Sequence, residues 1–217
     1  MVFVFGIFGI IGGLLCAVGD VLLDYKGKGN VKLGKHKFIE SNWNRMATWR
    51  FKLSILFVAL GVPMYFLGFT SLAMQMKNDS FALYFWVVCL VGSIGGFFIH
   101  SILCVVPILY KKINKNHEFS ETEDVLNSVY SAVMFPFITM FSLLVIISSI
   151  LISFAIVLGY LVLPSWMIVL TPFSMMIIGV LLRIVKRSWF FDLPGIIMPS
   201  LGIAMVGLMA VINHRMS

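Results

Sequence analysis

The feature that most constrains this chain is a series of apolar stretches, most of them longer than the roughly 20 residues that a helix needs to cross a bilayer. Only 12% of the 217 residues are charged, against about a quarter in an ordinary soluble domain. We therefore predict an all-α integral membrane bundle of about six transmembrane helices, forming a single polytopic domain over residues 1–217. The six stretches are 2–24, 51–76, 81–110, 128–158, 161–183 and 190–213.

The positions of the basic residues predict the orientation of the bundle. Fourteen of the sixteen lysines and arginines fall in three loops, which follow the first, third and fifth apolar stretches. Only Lys77 and Arg215 fall on the other side. Because cytoplasmic loops of membrane proteins are enriched in Lys and Arg, we predict that these three loops are cytoplasmic and that the N- and C-termini lie outside. The net charge of +7 thus reflects topology and predicts no nucleic-acid partner.

Three of the stretches carry small residues on one helical face, and in the first and third that face also carries an ionisable residue. Small residues at four-residue spacing let helix backbones approach closely in lipid. Asp20 and His100 should therefore face the interior of the bundle, and the same glycine stripes could join the chain into a homo- or hetero-oligomer. The residues concerned are Gly9, Gly13, Ala17 and Asp20 in the first stretch, Gly61 and Gly68 in the second, and Gly92, Gly96, His100 and Cys104 in the third.

Whether Asp20 and His100 touch is left open by their depths. Asp20 lies about one turn before the end of the first stretch. His100 lies ten residues before Tyr110, which is about 15 Å along a helix. A direct contact requires the third helix to extend beyond the membrane, and otherwise a water must bridge the two side chains.

Asp20 and His100 each admit a structural and a functional interpretation. In the first, backbone amides or a basic residue of the next loop, Arg45, Arg50 or Lys52, hold the Asp20 carboxylate, and His100 is a neutral imidazole bonded to a neighbouring helix. In the second, Asp20 contacts a ligand or carries a proton. His100 is then the general acid or base, because the ordinary pKa of imidazole lies near neutrality. His100 and Asp20 are therefore the candidate catalytic residues.

The loop 25–52 contains eight of the sixteen basic residues, which predicts binding to the anionic headgroups of membrane lipids. Its second half, SNWNRMATWR, combines tryptophans and arginines as segments at the headgroup level do. The other interpretation is a lid that recognises a phosphate or carboxylate group of a ligand. The candidate ligand-binding residues are Trp43, Arg45 and Arg50 in this loop, and Tyr65 and Tyr130 on the second and fourth helices.

Other patterns bear on cofactors and on one helix end. The three cysteines lie in apolar stretches without a CxxC, and the four histidines are scattered, so no metal site is predicted. No GxSxG, GxGxxG or phosphate loop is present, so no cofactor is predicted. The segment SETE pairs Ser120 with Glu123, which predicts a capping box at a helix start before the fourth crossing.

Four segments resemble a family of bacterial multi-pass membrane proteins that is known only as a domain of unknown function. They are the GD that closes the first helix, NWNRMATWR (42–50), SILFVALGVPMYFLGF (54–69) and FFIHSILCVVP (97–107). The resemblance covers nearly the whole chain. It implies an all-helical bundle in the plasma (inner) membrane of a bacterium, and it supplies neither an activity nor catalytic residues.

Three functions from different classes are consistent with these patterns. The leading hypothesis is an integral membrane protein that binds a small amphipathic or lipid-like ligand in a cytoplasm-facing intramembrane cavity, with a lipid-modifying enzyme as its catalytic version. The second is a proton- or cation-coupled transporter or channel, in which Asp20 and His100 form the path. The third is an accessory or immunity-type membrane protein that acts by helix–helix contact through the glycine stripes.

Overall fold

The fold of this chain is a bundle of helices, seen in a computed structural model that describes residues 1–116, 118–185 and 193–216. The start of the last predicted stretch, at 190–192, and the basic residues Lys186 and Arg187 lie outside the described residues. The helices are α1 (Val2–Asp24), α2 (Thr48–Ala73), α3 (Asp79–Ile113), α4 (Phe119–Phe141), α5 (Ser148–Val157), α6 (Pro172–Val185) and α7 (Leu193–Met216).

Shorter elements complete the described ranges. A π-helical turn over Ser142–Ile147 joins α4 and α5 into one continuous helix. Two 3-10 turns cover Ser41–Asn44 and Ser165–Leu170. Strands β1 (Lys32–Leu33) and β2 (Ile39–Glu40) pair antiparallel in the loop that follows α1.

Five helices of the described ranges are long and apolar enough to cross a membrane, which confirms the predicted helical, membrane-compatible class. They are α1, α2, α3, the continuous helix Phe119–Val157 and α7. The fifth predicted stretch, 161–183, contains a 3-10 turn followed by α6, which has 14 residues. A helix of that length spans about 21 Å, less than the roughly 30 Å of a hydrocarbon core. The sixth crossing therefore stays a prediction.

Helix α1 packs between α2 and α7 through glycines. A Cβ atom built on Gly9 would lie 2.5 Å from the Cα of Gly68 in α2 and 3.0 Å from the Cα of Gly207 in α7. One turn along α1, Gly13 is pressed against the backbone of Ala204 in α7. Helices in lipid gain no hydrophobic free energy from association, so such close backbone packing supplies much of their attraction.

The helix start predicted at SETE differs from the observed one. Helix α4 begins at Phe119, its N-cap residue is Glu118, and no side chain caps it. The predicted capping box of Ser120 and Glu123 is therefore wrong. The Glu123 carboxylate instead accepts a hydrogen bond from the backbone N–H of Lys35, and so it ties the loop after α1 to α4.

The loop between α1 and α2 is folded onto the ends of α1, α3 and α4. Trp43 is 4% exposed, and its ring meets that of Tyr110 edge-on, with 5.7 Å between the ring centroids. Trp49, at the start of α2, is 58% exposed. A position at the headgroups is thus open to Trp49, whereas Trp43 belongs to the apolar cluster under the loop.

The glycine contacts of α1 predict a stability difference between two Gly→Ala variants. Gly9→Ala should lower the free energy of unfolding by about 1–3 kcal/mol, because the new methyl group collides with two backbones. Gly195→Ala, in α7, adds a methyl group with no neighbour within 4 Å. It should be neutral or stabilising by up to about 1 kcal/mol, since alanine is the better helix former. Thermal unfolding in detergent compares the two, and equal melting temperatures would contradict the packing described here.

Candidate functional site

A cavity of about 350 Å³ lies between α1, α2, α3, α4 and α7. Most of its wall is apolar and includes Val58, Val62, Ile99, Leu103, Phe137 and Ile203. The ionisable or hydroxyl-bearing side chains among its described lining residues are Cys16, Asp20, Asp24, Tyr65, His100 and Ser200. The cavity therefore offers a small set of hydrogen-bonding groups in largely apolar surroundings, as small-molecule sites commonly do.

Asp20 holds the centre of the polar group. The Ser200 hydroxyl donates to Asp20 Oδ2 over 2.5 Å, and His100 Nδ1 lies 3.5 Å from Asp20 Oδ1. The Asp20–His100 contact left open by the sequence is thus direct. Helix α3 continues to Ile113, three residues past its predicted end. The side chains of Asp20 and His100 are 21% and 14% exposed.

The antiparallel packing of α1 and α7 explains why Asp20 meets Ser200. Gly9 faces Gly207 and Gly13 faces Ala204, so residue numbers rise along α1 as they fall along α7. Asp20 lies two helical turns beyond Gly13. Ser200 lies one turn before Ala204 on the same side of α7, and since side chains tilt toward the N-terminus of their helix, Asp20 and Ser200 lean toward each other and meet.

Ser54 holds the other side of the His100 ring. Its hydroxyl lies 2.7 Å from the carbonyl oxygen of Gly19 and 2.9 Å from His100 Nε2. The Cys104 thiol donates to the same hydroxyl oxygen over 3.4 Å. Ser54 is fully buried and is not among the cavity-lining residues, so it positions His100 from behind and has no surface toward a ligand.

These hydrogen bonds fix where the protons of His100 lie. A carbonyl oxygen can only accept, so Ser54 donates its proton to Gly19 and accepts one from His100 Nε2. Nδ1 of a neutral ring then carries a lone pair that faces the Asp20 carboxylate. A lone pair on Nδ1 and an acceptor oxygen on Asp20 make a hydrogen bond only when a further proton lies between them. Asp20 and His100 thus face each other at the cavity wall as a carboxyl group and an imidazole that can exchange a proton.

Asp24, which also lines the cavity, forms an ion pair with Lys26 of the loop. Lys26 Nζ lies 2.9 Å from Asp24 Oδ1 and 3.6 Å from Glu40 Oε1. Burial opposes the charge on Lys26, but the two carboxylates outweigh it, and the pKa of Lys26 is raised above its ordinary value. Lys26 is therefore charged at neutral pH and offsets one of the two negative charges of Asp24 and Glu40.

The two arginines predicted to bind the ligand do not line the cavity. Arg50 donates from Nη2 to the carbonyl oxygens of Val21 and Tyr25, over 3.2 and 2.8 Å. It thereby satisfies carbonyl groups at the C-terminal end of α1, a common role for a basic side chain. Arg45 is exposed on the loop. Neither arginine lines the cavity, and the described partners of Asp20 are Ser200 and His100.

The three predicted aromatic ligand residues are also separated. Tyr65 lines the cavity and is 3% exposed. Tyr130 stacks on Phe38 of the loop, with 4.7 Å between ring centroids, and Trp43 packs against Tyr110. Tyr65 is therefore brought together with Asp20 and His100, whereas Tyr130 and Trp43 help to fasten the loop.

Two site residues, Ser200 and Ser54, escaped the sequence reasoning. Ser200, Ala204 and Gly207 are small residues spaced by four and three, a pattern that predicts the face of α7 turned toward another helix. Ser54 carried no such signal, because it is an isolated serine at the start of an apolar stretch. Within the described ranges, no three His, Cys, Asp or Glu side chains converge on a possible metal position, and all three cysteines are free and buried.

The fold and the site together define a class of all-helical protein with membrane-compatible helices, in which an Asp–His pair lies at the wall of a cavity between the helices. The chain belongs to the family of unknown function DUF6796, whose family model matches residues 2–216. The predicted resemblance to an uncharacterised family is thereby confirmed, and the bacterial source stays a prediction. No curated protein and no solved structure matches the chain.

Ser54→Ala should disturb His100 although it leaves the cavity wall untouched. The variant removes the acceptor for Nε2 and leaves a buried imidazole N–H unpaired, which should cost about 1–3 kcal/mol of stability. The ¹⁵N chemical shift of His100 Nε2 and the melting temperature in detergent are the measurements. Ser101→Ala is the control, since Ser101 donates only to Phe97 in its own helix. Equal effects of the two variants would remove the positioning role of Ser54.

Proposed function

We propose that this chain binds a small amphipathic, lipid-like ligand in its cavity, with the polar end of the ligand against Asp20, His100 and Ser200. One observation carries the proposal: Ser200 hydrogen-bonds to Asp20, and His100 lies 3.5 Å from the same carboxylate, at the wall of a largely apolar cavity of about 350 Å³. Ligand cavities of roughly 300–1,000 Å³ usually combine apolar walls with a few polar groups that orient the ligand. In the catalytic version of this function, the Asp20–His100 pair exchanges its proton with the polar group of the lipid.

The proposal includes a place in the plasma (inner) membrane, with six crossings, termini outside and the basic loops cytoplasmic. Large apolar side chains cover the outer surface, among them Phe98 and Phe135, which are 65% and 80% exposed. Helix α6 runs antiparallel to α7, because Gly179 approaches Pro194 and Gly202 approaches Pro172. The 3-10 turn Ser165–Leu170 and α6 follow one another almost directly, and their combined length supports a sixth crossing of the membrane.

The loop between α1 and α2 supports a cytoplasmic opening of the cavity. Asp24, at the last position of α1, lines the cavity next to this loop. The loop exposes four lysines that suit anionic lipid headgroups, namely Lys28, Lys32, Lys35 and Lys37. We propose that these lysines hold the loop on the headgroups of the leaflet from which the ligand enters.

Gly96→Leu should remove the ligand without breaking the fold. Gly96 lines the cavity, and a Cβ atom built there meets only Leu144 Cδ2, at an ordinary 3.5 Å. The leucine side chain therefore grows into the cavity. We expect the purified variant to lose most of the lipid that the wild type retains, measured by mass spectrometry of the extracted lipids per mole of protein.

Ser153→Leu is the matched control for Gly96→Leu. Ser153 lies in a separate groove formed by α5, Thr171 and the start of α6, where retained lipid would reflect ordinary surface contact. The control should keep the lipid that Gly96→Leu loses. If Gly96→Leu retains the same lipid in the same amount, the cavity is not the ligand site.

Proton-coupled transport is the second candidate, favoured by the continuous series of polar contacts through Ser200, Asp20, His100 and Ser54. If the series carries protons, vesicles containing the wild type should acidify under a proton gradient. Asp20→Asn should then reduce the flux to the level of empty vesicles, because the amide cannot take up the proton. A pH-sensitive dye inside the vesicles measures this. Wild-type vesicles that behave like empty ones would count against transport and leave ligand binding unaffected.

Binding of a partner protein through the glycine stripes would disrupt packing within the chain. Gly9, Gly68 and Gly207 cover one another within the chain, and Gly92 packs against Leu144. A partner helix would have to use other faces or displace a helix of the bundle. For an accessory protein of the predicted kind, the oligomer contacts therefore remain to be placed on the outer surface.

A further inference from the structure

The charges around the cavity carry an inference about the head group of the ligand, one that rests on the proposed binding function. Two carboxylates, Asp20 and Asp24, and one histidine line the cavity, and no lysine or arginine is among its described lining residues. A head group placed beside Asp20 therefore meets acceptors and an imidazole and finds no cation among the lining groups that the structure describes.

Two basic side chains close to the end of α1 are engaged elsewhere. Lys26 is shared between Asp24 and Glu40, and Arg50 binds the two carbonyl oxygens at the end of α1. A phosphate or carboxylate head would thus add a negative charge next to Asp20 without gaining an ion pair. Burying an unpaired charge in apolar surroundings is strongly unfavourable, so the site disfavours anionic heads.

The exchangeable proton makes the Asp20–His100 pair suited to an uncharged group. With one proton between Nδ1 and Oδ1, the pair has no net charge, whichever atom holds it. A carboxylate has about four lone-pair sites, and Ser200 and His100 occupy two of those of Asp20. The sites left over can accept a hydrogen bond from a ligand hydroxyl, and the oxygen of that hydroxyl can in turn accept one.

We infer that the ligand is a lipid with an uncharged hydroxyl head group, a monoacylglycerol or a long-chain alcohol by chemical class. Asp20 and Ser200 contact the ligand hydroxyl. His100 gives a proton to Asp20 or takes it back, so that Asp20 can donate to that hydroxyl or accept from it. The apolar wall formed by residues such as Val62, Phe137 and Ile203 takes the chain.

A matched pair of probes tests the head group. Monopalmitoylglycerol and its 3-phosphate differ only by the phosphate, and hexadecanol and hexadecylamine differ only in the polar atom and its charge. Dissociation constants for the full-length protein come from native mass spectrometry titrations in one detergent. We expect the glycerol to bind about tenfold or more tightly than its phosphate, and the alcohol at least as tightly as the amine.

Two variants identify Asp20 as the source of this preference. Asp20→Asn removes the charge but keeps an oxygen for Ser200, so it should reduce the preference for glycerol over phosphate to less than about threefold. Asp79→Asn removes an exposed carboxylate at the other end of α3 and should leave the preference unchanged. Ser200→Ala should weaken both glycerol and alcohol binding and gives a second reading if Asp20→Asn fails to fold.

The outcomes separate this inference from the proposed function. A phosphate that binds as well as the glycerol, or an amine that binds better than the alcohol, overturns the head-group inference and leaves lipid binding in place. An unchanged preference in a folded Asp20→Asn protein also overturns it. If the folded wild type binds none of the four probes and carries no lipid of its own, the proposed function fails as well.

Discussion

The close approach of α1 to α2 and α7 is the contact on which the rest of the structure depends. Gly9, Gly68 and Gly207 bring three backbones together at one level of the bundle. Because glycines have no side chain, the backbones touch at these contacts. A shift of one helix along another would bring a larger residue into the same narrow space. This level fixes the register in which Asp20 meets Ser200 on one side and Gly19 meets Ser54 on the other.

The polar site is stable in apolar surroundings because its groups satisfy one another. A buried polar atom without a partner costs about 1–3 kcal/mol, and an unpaired carboxylate costs more. Here Ser200 donates to Asp20 from the side of α7, and Ser54 holds the His100 ring from α2. Four helices thus contribute to one polar cluster, of which Asp20, His100 and Ser200 face the cavity.

The sequence predicts the class of fold and the inward side of each polar helix, and it fails at the distances between helices. Asp20 and His100 lie on faces with small residues, so their position inside follows from helical spacing. Their contact depends on the axial position of α3 relative to α1, which no local sequence pattern encodes. Arg50 shows the same limit: its place after α1 suggested a partner for Asp20, but the carbonyl groups at the helix end lie closer.

The π-helical turn at Ser142–Ile147 changes the direction in which the side chains of the following helical residues point. A wider turn takes up one extra residue, which rotates the later side chains by about 100° relative to an uninterrupted helix. Before the turn, Phe137 and Phe141 face the cavity. After it, the Ser149 hydroxyl accepts a hydrogen bond from the N–H of Phe173 at the start of α6. One continuous helix thereby lines the cavity with one face and holds the start of α6 with another.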